Sequence, residues 1–366
     1  VIVEPNGVIG ILGGGQLGRM LATAAAEIGL KTHILCPDDH APAYDVSSAH
    51  TVAGYLDEYA LAKFAKSVDV ITYEFENVPV EAVEFLNNLG AVVRPGAKAL
   101  ETAQDRLVEK EFARGIGAET AAFHPVDDLD SLKAGLEKVS RPAILKTRRL
   151  GYDGKGQTRI TTQDSDLSGA YEKAIEFAWD EVGAAPSILE GFVPFTREIS
   201  IIGARGENGE IKLYDPAENV HKGGILRTSS VPAAVSEATA EKARAVTRKM
   251  LEALDYVGVI GVEFFVLENG DVIVNEYAPR VHNSGHWTED GCAVSQFEQH
   301  IRAVAGWPLG DPARHSDAVM ENLIGDDVKS WRALAGEPQT CVHLYGKREA
   351  RPGRKMGHVT RITKKS

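Results

Sequence analysis

Residues 259–277 read VIGVEFFVLENGDVIVNEY. Two β-rich apolar runs, Val259 to Leu267 and Val272 to Tyr277, flank Glu268-Asn269-Gly270-Asp271, and Asn-Gly is the preferred centre of a two-residue type I′ hairpin turn. Such a turn pairs residues equidistant from it, so Glu263 and Glu276, each six positions away, face one another across two strands. They are expected to share that face with Phe265, Leu267, Val272 and Val274. Carboxylates so placed repel and lose water to apolar neighbours, which is unfavourable unless a cation or a shared proton compensates. A hard divalent ion is the natural remedy, and magnesium held by one or two carboxylates completes its shell with phosphates. A bulge-shifted register or a solvated edge would leave the two acids without that role.

Outward from the hairpin, a strand at Ala143 to Lys146 runs into Leu150-Gly151-Tyr152-Asp153-Gly154-Lys155-Gly156-Gln157, too glycine-rich for a helix. A lysine at a strand end meets phosphates as a point charge, and glycines let a backbone approach and close over a ligand. The stretch therefore reads as a nucleoside triphosphate lid; no G-K-[ST] follows, so it is not a Walker loop. Immediately after the hairpin, Asn275 to Trp287 packs Arg280, His282, Asn283, Ser284 and His286 together. This is either an oxyanion and sugar-phosphate pocket or a hydrogen-bonded loop with structural histidines.

The first hundred residues alternate strand and helix: strands at Val8 to Leu12, Lys31 to Cys36 and Val68 to Phe75, helices at Arg19 to Ile28, Asp57 to Lys66 and Pro79 to Leu89. That alternation implies a parallel βαβ-type sheet. Gly13, Gly15 and Gly18 spell G-x-G-x-x-G between the first strand and its helix, with Asp38 about 20 residues on. A dinucleotide site, a generic phosphate cradle and a purely structural turn all fit, and Asp38, after Pro37, stands off the strand tip where a ribose would be met. A long helix, Ala97 to Arg114, leads into a middle region where runs of strands and a helix at Glu237 to Leu254 imply an α+β arrangement. Pro308 to Pro312 marks a further boundary.

Composition limits the partners. With 366 residues, 43% hydrophobic and 25% charged, the chain has cores enough for two or three domains and excludes wholesale disorder. Cys36, Cys292 and Cys341 are far apart and odd in number, which suits a reducing cytoplasm and no structural zinc. VIVEPNG lacks a basic leader pattern and no apolar run reaches the ~18 residues of a membrane span, so a cytoplasmic, untargeted protein is expected. A net charge of −12 opposes diffuse attraction to nucleic acid or an anionic membrane. Yet residues 347–366 hold eight Lys/Arg against Glu349 alone, which is either a local anion site or a solvated tail.

In order along the chain, GGGQLGRM (13–20), QDRLVEK (104–110), GYDGKGQ (151–157), Glu190 to Val193 with Glu198, His221 followed by GILRTS, Asn275 to Thr288 and RPGRKMGH (351–358) resemble the ATP-grasp superfamily. Within it they resemble the N5-carboxyaminoimidazole ribonucleotide synthetases, over nearly the whole chain. The resemblance implies an ATP-grasp fold in three parts: a pre-ATP-grasp domain at 1–104, the ATP-grasp domain at 105–310 with a lid subdomain about 121–188, and a small C-terminal domain at 311–366. It implies carboxylation of 5-aminoimidazole ribonucleotide by bicarbonate, with ATP as cosubstrate and Mg2+ or Mn2+ as the metal, in a cytoplasmic homodimer that binds neither nucleic acid nor membrane.

Carried over residue by residue, ATP would be met by Arg106, Lys146, Gly151, Tyr152, Gly154, Gly156, Gln157, Glu190, Gly191, Phe192, Val193, Glu198, His221, Asn275 and Glu276. Glu263 and Glu276 would hold the metal; Ala278 stands where many ATP-grasp enzymes have Asn, leaving a third place to water or ATP oxygens. The ribonucleotide would be met by Gly15, Gln16, Leu17, Glu74, with Glu76 a lesser candidate, Tyr152, Asn283, Ser284, Lys347, Arg354 and Lys355, so that the glycine turn serves a ribonucleotide phosphate and not a dinucleotide. Asp153 is the candidate base, with Lys155, Arg280, His282 and Lys347 orienting groups or stabilising charge. The rivals are a formate-dependent glycinamide ribonucleotide transformylase on the same scaffold and, from another class, an NAD-dependent dehydrogenase, which would explain only residues 8 to 38.

Overall fold

The computed structural model of the protein describes residues 1–139, 141–151, 156–161 and 170–366. Its N-terminal part is a four-stranded parallel sheet ordered Ala49–Val52, Lys31–Cys36, Val8–Leu12, Val70–Tyr73. The inner strands are apolar runs because both faces are covered. Ala49–Val52, short, mostly exposed and polar, is an edge strand that hydrophobic periodicity does not reveal. The helix Gln16–Glu27 buries Leu17, Leu21 and Ala25 in the same core as Phe297, Ile301 and Val304 of the helix Gln296–Val304. That packing seats the glycine turn against the rest of the protein.

The expected single helix from Ala97 to Arg114 is two, Ala97–Gln104 and Arg106–Gly115. Asp105 breaks it: its carboxylate accepts from the backbone N–H of Leu107 at 3.0 Å and from Arg148 Nε and Nη2 at 3.0 and 2.7 Å. Aspartate competes for nearby amides and so favours a cap over a helix interior. The break puts Arg106 at a helix start, facing the site.

Nine strands form an antiparallel central sheet, ordered Val272–Ala278, Gly258–Val266, Arg197–Arg205, Ala217–Lys222, Ile225–Val231, Ser316–Ile324, Lys355–Lys364, Thr340–Leu344, with Ile211–Leu213 beside Arg197–Arg205. The last three strands in chain order thus extend the sheet of the hairpin, and half of the basic tail, Lys355–Lys364, is a paired strand. A separate antiparallel sheet, Phe123–Val126, Ser187–Gly191, Ala143–Thr147, Gln157–Ile160, carries its own core of Val126, Leu132, Leu145, Ile175 and Leu189.

In the hairpin Glu263 does pair with Glu276, but by another route. The turn is wider than a two-residue one: Gly270 N–H donates to Leu267 O with Gly270 at φ +80°, and Val266 pairs with Val272. A bulge then leaves Asn275 without a cross-strand partner and restores the register at Glu263. Parity therefore flips, and Val272 and Val274 lie with Phe264 and Val266 on the core face, while Phe265 stacks on Phe195 at 4.5 Å between centroids on the face of the two glutamates. Val272 and Val274 are accordingly not neighbours of the carboxylate pair, while Leu267 follows the last paired residue of its strand, Val266.

Burial would raise the Asp105 carboxyl, but the hydrogen bonds and charge of Arg148 hold it below the usual range. A depressed acid stabilises above its unfolded value and loses that contribution as pH falls through its folded value. Asp105→Asn should lower the free energy of unfolding by about 2 kcal/mol at pH 7. Urea titrations should find the gap closing below about pH 4; an undiminished gap there would contradict this account.

Candidate active site

The floor of the site is the glutamate pair. Arg106 Nη1 reaches Glu276 Oε2 at 3.0 Å and its Nη2 donates to Gly151 O at 3.2 Å, tying the helix start to the glycine-rich loop. Burial pushes the Glu276 carboxyl up, but the Arg106 guanidinium overrides it and holds the group below its ordinary value. Glu263 goes the other way, raised by burial and then by the Glu276 charge. Beside it His282 Nε2 lies 3.5 Å from Glu263 Oε1. Glu198 and His221 form an ion pair at 2.8 Å, and with Glu263 they offer ligand atoms within 4.8 Å of one another. Burial lowers the His221 pKa, but the hydrogen bond to Glu198 leaves it raised overall.

Lys146, near the end of its strand, contacts Glu190 Oε2 at 3.1 Å, and Lys110 stands 3.6 Å from the same oxygen. Against the upward push of burial, Lys110 and Lys146 bring the Glu190 carboxyl down to about 2. Gly191 and Phe192 spend their N–H groups on Ala122 O and Pro142 O, Val193 O accepts from Phe195 N–H, and Asn275 O accepts from Lys110 Nζ at 2.5 Å. Gln157 opens its strand in register with Lys146. At Gly156, φ +67°, a Cβ would meet Thr147 Oγ1 at 2.7 Å, so the loop returns through a glycine. Tyr152, Asp153, Gly154 and Lys155 lie outside the described residues.

On the other side of the pair, Arg280 clasps Glu76 through Nε at 2.5 Å and Nη2 at 3.0 Å, and its charge outweighs burial to bring Glu76 to about 2. Glu74 fills the glycine turn: Gly15 N–H donates to its Oε1 at 2.5 Å and Gly18 N–H to its Oε2 at 2.8 Å. A Cβ on Gly15 would meet Glu74 Oε1 at 2.6 Å. The anion cradle read from the fingerprint is therefore occupied by a carboxylate of the same domain. Burial raises the Glu74 pKa, opposed by those amides and by the charges of Arg280 and Lys347. Gln16 and Leu17 start the helix here, with Leu17 buried.

His282 is kept neutral, its pKa down to about 3 by burial and by Arg280. Its Nδ1 lies 2.8 Å from Ser284 Oγ and accepts weakly from Ser284 N–H at 3.4 Å, which directs the Nε2 proton toward Glu263. Ser284 is fully buried and its hydroxyl also meets Ser200 Oγ at 2.7 Å, so it orients the imidazole from inside. Gln296 holds the His282 backbone by both ends, at 2.9 and 2.7 Å. The Asn283 amide exchanges two hydrogen bonds with Asn322, at 3.0 and 2.7 Å. Sequence reasoning missed Gln296, Ser200 and Asn322, whose only signal is burial of a polar side chain far along the chain from its partner. Lys347 Nζ donates to Lys355 O at 2.7 Å, Arg354 Nη1 donates to Glu349 O at 3.0 Å, and the charge of Lys355 is felt at Glu263.

A second group, Glu289, His343 and His358, also offers ligand atoms within 4.8 Å. The two imidazoles are stacked 12° from parallel, so their in-plane lone pairs do not converge on one ion.

Family models match in three consecutive parts: a ribonucleotide synthetase pre-ATP-grasp domain over residues 7–104, an ATP-grasp domain over 111–297, and a phosphoribosylaminoimidazole carboxylase C-terminal domain over 318–366. The N5-carboxyaminoimidazole ribonucleotide synthase of Brucella melitensis is 56% identical over 98% of this chain and 97% of its own length. The chain belongs to the N5-carboxyaminoimidazole ribonucleotide synthase family of ATP-grasp ligases. The Bacillus subtilis synthase is 41% identical over 98% of this chain and 92% of its own. Among solved structures, the Thermus thermophilus synthetase superposes with a TM-score of 0.89 at 48% identity, covering 97% of this chain and 93% of that one. The Aspergillus clavatus synthase, solved with ADP and 5-aminoimidazole ribonucleotide, gives 0.89 at 31% identity, covering 98% and 94%. As an ATP-grasp synthase the protein binds ATP.

The asymmetry of the glutamates sets a pH-dependent stability. An acid whose folded value is raised costs nothing below its unfolded value near 4.3, and its cost grows as pH rises through the folded value. In metal-free buffer Glu263→Gln should therefore melt above wild type at pH 8, by about 2–4 °C per kcal/mol relieved, and level with it at pH 4.5. Glu276→Gln, which gives up the Arg106 ion pair, should show no such gain. Calorimetric melts of the three proteins at both pH values test this, and equal shifts in both variants would refute the asymmetry.

Proposed function

We propose that the protein joins bicarbonate to the exocyclic amine of 5-aminoimidazole ribonucleotide at the expense of ATP, giving the N5-carbamate, ADP and phosphate in de novo purine synthesis. The observation that carries this reading is the placement of the Glu263–Glu276 pair between a nucleotide side, Lys146, Arg106 and Glu190, and a cationic side, Arg280, Lys347 and Lys355. The proposed domains are 1–104, 105–310 with a lid subdomain about 121–188, and 311–366. A cytoplasmic homodimer belongs to the same reading and rests on the family resemblance. Among the described residues no helix is long and apolar enough to cross a membrane.

Two hard carboxylates, one raised by burial and by the charge of the other beyond what His221 and Lys355 offset, fit a divalent cation. Glu263 and Glu276 would hold Mg2+, or Mn2+ in its place, which when bound supplies positive charge against the phosphates. Bicarbonate is a poor electrophile. Attack of its oxygen on the γ-phosphorus, with ADP leaving, gives carboxyphosphate, whose charge is assigned to Lys146 and Arg280 to offset. The amine then attacks the carboxyl carbon, phosphate leaves with the C–O bonding pair, and the nitrogen gives up a proton to a base, for which Asp153 is the candidate. His282, neutral and fixed by Ser284, fits an orienting donor better than a base, because its free nitrogen already carries the proton. The remaining nucleotide contacts are assigned to Gly151, Tyr152, Gly154, Gly156, Gln157, Gly191 to Val193, Glu198, His221 and Asn275. Ribonucleotide contacts are assigned to Gly15 to Leu17, Glu74, Tyr152, Asn283, Lys347, Arg354 and Lys355.

Phosphate release from ATP, measured with each of 5-aminoimidazole and glycinamide ribonucleotides and with bicarbonate or formate, tests the reaction. Turnover should require the imidazole substrate and bicarbonate. Formate-dependent turnover of glycinamide ribonucleotide would replace this reading. If Arg354 holds the ribonucleotide phosphate, Arg354→Ala removes a charge-assisted contact worth about 1.5–3 kcal/mol. The ribonucleotide KM should rise tenfold or more, about 1.4 kcal/mol per decade, with the ATP KM within twofold. An unchanged ribonucleotide KM would free Arg354 of that role.

A further inference from the structure

Lys110 lies in the QDRLVEK stretch, yet neither its position nor its chemistry is used by the reaction described above. Its side chain is only 2% exposed, in the helix Arg106–Gly115, and its ammonium is anchored by Asn275 O at 2.5 Å and Val274 O at 3.4 Å. From there it stands 3.6 Å from Glu190 Oε2, the oxygen that Lys146 also contacts at 3.1 Å. The other oxygen, Oε1, has no hydrogen-bond partner among the described residues, although Glu190 is 3% exposed. A buried carboxylate with one oxygen unspent is costly unless a ligand donor completes it. It is costlier still when a partner charge is withdrawn, because an unpaired buried ion lacks both water and a counter-charge.

Lys146 is the group that ATP would withdraw. Its ammonium, a flexible point charge, contacts Glu190 Oε2 at 3.1 Å and is assigned above to the phosphates. We propose that Lys110 is a positioning residue for the nucleotide: it remains on Glu190 as the resident counter-charge, so that Glu190 stays ionised and aimed at the ligand while Lys146 moves to the phosphates. Lys110 cannot itself follow, since two backbone carbonyls fix it. Burial presses the Lys110 ammonium toward its neutral form and the Glu190 carboxylate opposes this, so each ion keeps the other charged.

This rests on the reading of Glu190 and Lys146 as nucleotide contacts, and the test separates the two. Calorimetric titration of ADP with Mg2+ into the full-length protein should show Lys110→Met binding tenfold or more weakly than wild type. In steady state its KM for ATP should rise by the same factor while the KM for the ribonucleotide stays within twofold, a split that general loosening of the fold would not produce. With Glu190 already neutral, Lys110 no longer has that nucleotide-side carboxylate to hold, so Lys110→Met/Glu190→Gln should bind ADP within threefold of Glu190→Gln alone. A purely structural lysine would lose the same factor in both backgrounds. Because the double variant removes both buried charges together, its comparison with Glu190→Gln stands even if Lys110→Met fails to fold. A tenfold further loss in the double variant, or wild-type affinity in Lys110→Met beside weakened binding in Glu190→Gln, overturns the proposal alone. Unchanged binding in Glu190→Gln overturns the nucleotide-site reading and the proposal with it.

Discussion

Two carboxylates held opposite one another on adjacent strands are an unfavourable arrangement that the surrounding structure resolves for one member only. Glu276 receives Arg106, and its carboxyl stays low. Glu263 receives a neutral imidazole at 3.5 Å and stays high. Had the protein supplied a second guanidinium, both acids would be satisfied and neither would have reason to take a cation. Keeping His282 uncharged, through burial and the nearby Arg280, is therefore part of what keeps the pair receptive.

That electrostatic arrangement depends on backbone geometry. The bulge at Asn275 turns Glu276 onto the face of Glu263; with regular alternation from the turn, Glu276 would share the face of Val272 and Val274, inside the core. Bulges re-aim side chains next to sites, and here the re-aimed group is a ligand carboxylate. The bulge carbonyls are in turn covered by Lys110, whose helix starts where Asp105 breaks the preceding one. A helix break, a bulge, the buried Lys110 and the half-buried Arg106 thus form one connected set of constraints around a single hairpin.

The parts legible in the amino-acid order were those governed by local rules. Strand and helix alternation identified the parallel sheet, and the Asn-Gly turn located the glutamate pair. The pairing was reached through two compensating departures: a wider turn shifted the register by one and the bulge shifted it back, which is why Val272 and Val274 were placed on the wrong face. Asp105 inside an apparently continuous helix, and Ala49–Val52 at a sheet edge, escaped because hydrophobic periodicity does not register a side chain bonding to backbone or a strand with no apolar face. Gln296, Ser200 and Asn322 escaped for a different reason. Each is set by a partner on a distant element, to which local pattern is blind.

The glycine turn shows how a local rule can have its chemistry right and leave the anion unspecified. G-x-G-x-x-G ahead of a helix exposes amides that want an anion, and that demand is met here. The anion is Glu74, delivered by the end of the neighbouring strand Val70–Tyr73. Gly15 is a glycine because the carboxylate comes within 2.6 Å of where its Cβ would stand, and not because a pyrophosphate must pass. Since burial raises Glu74 while the two amides, Arg280 and Lys347 lower it, its charge state depends on groups from three parts of the chain. The fingerprint consequently reports an anion site without specifying whether the anion is a ligand or a side chain, and only the neighbouring strand decides between them.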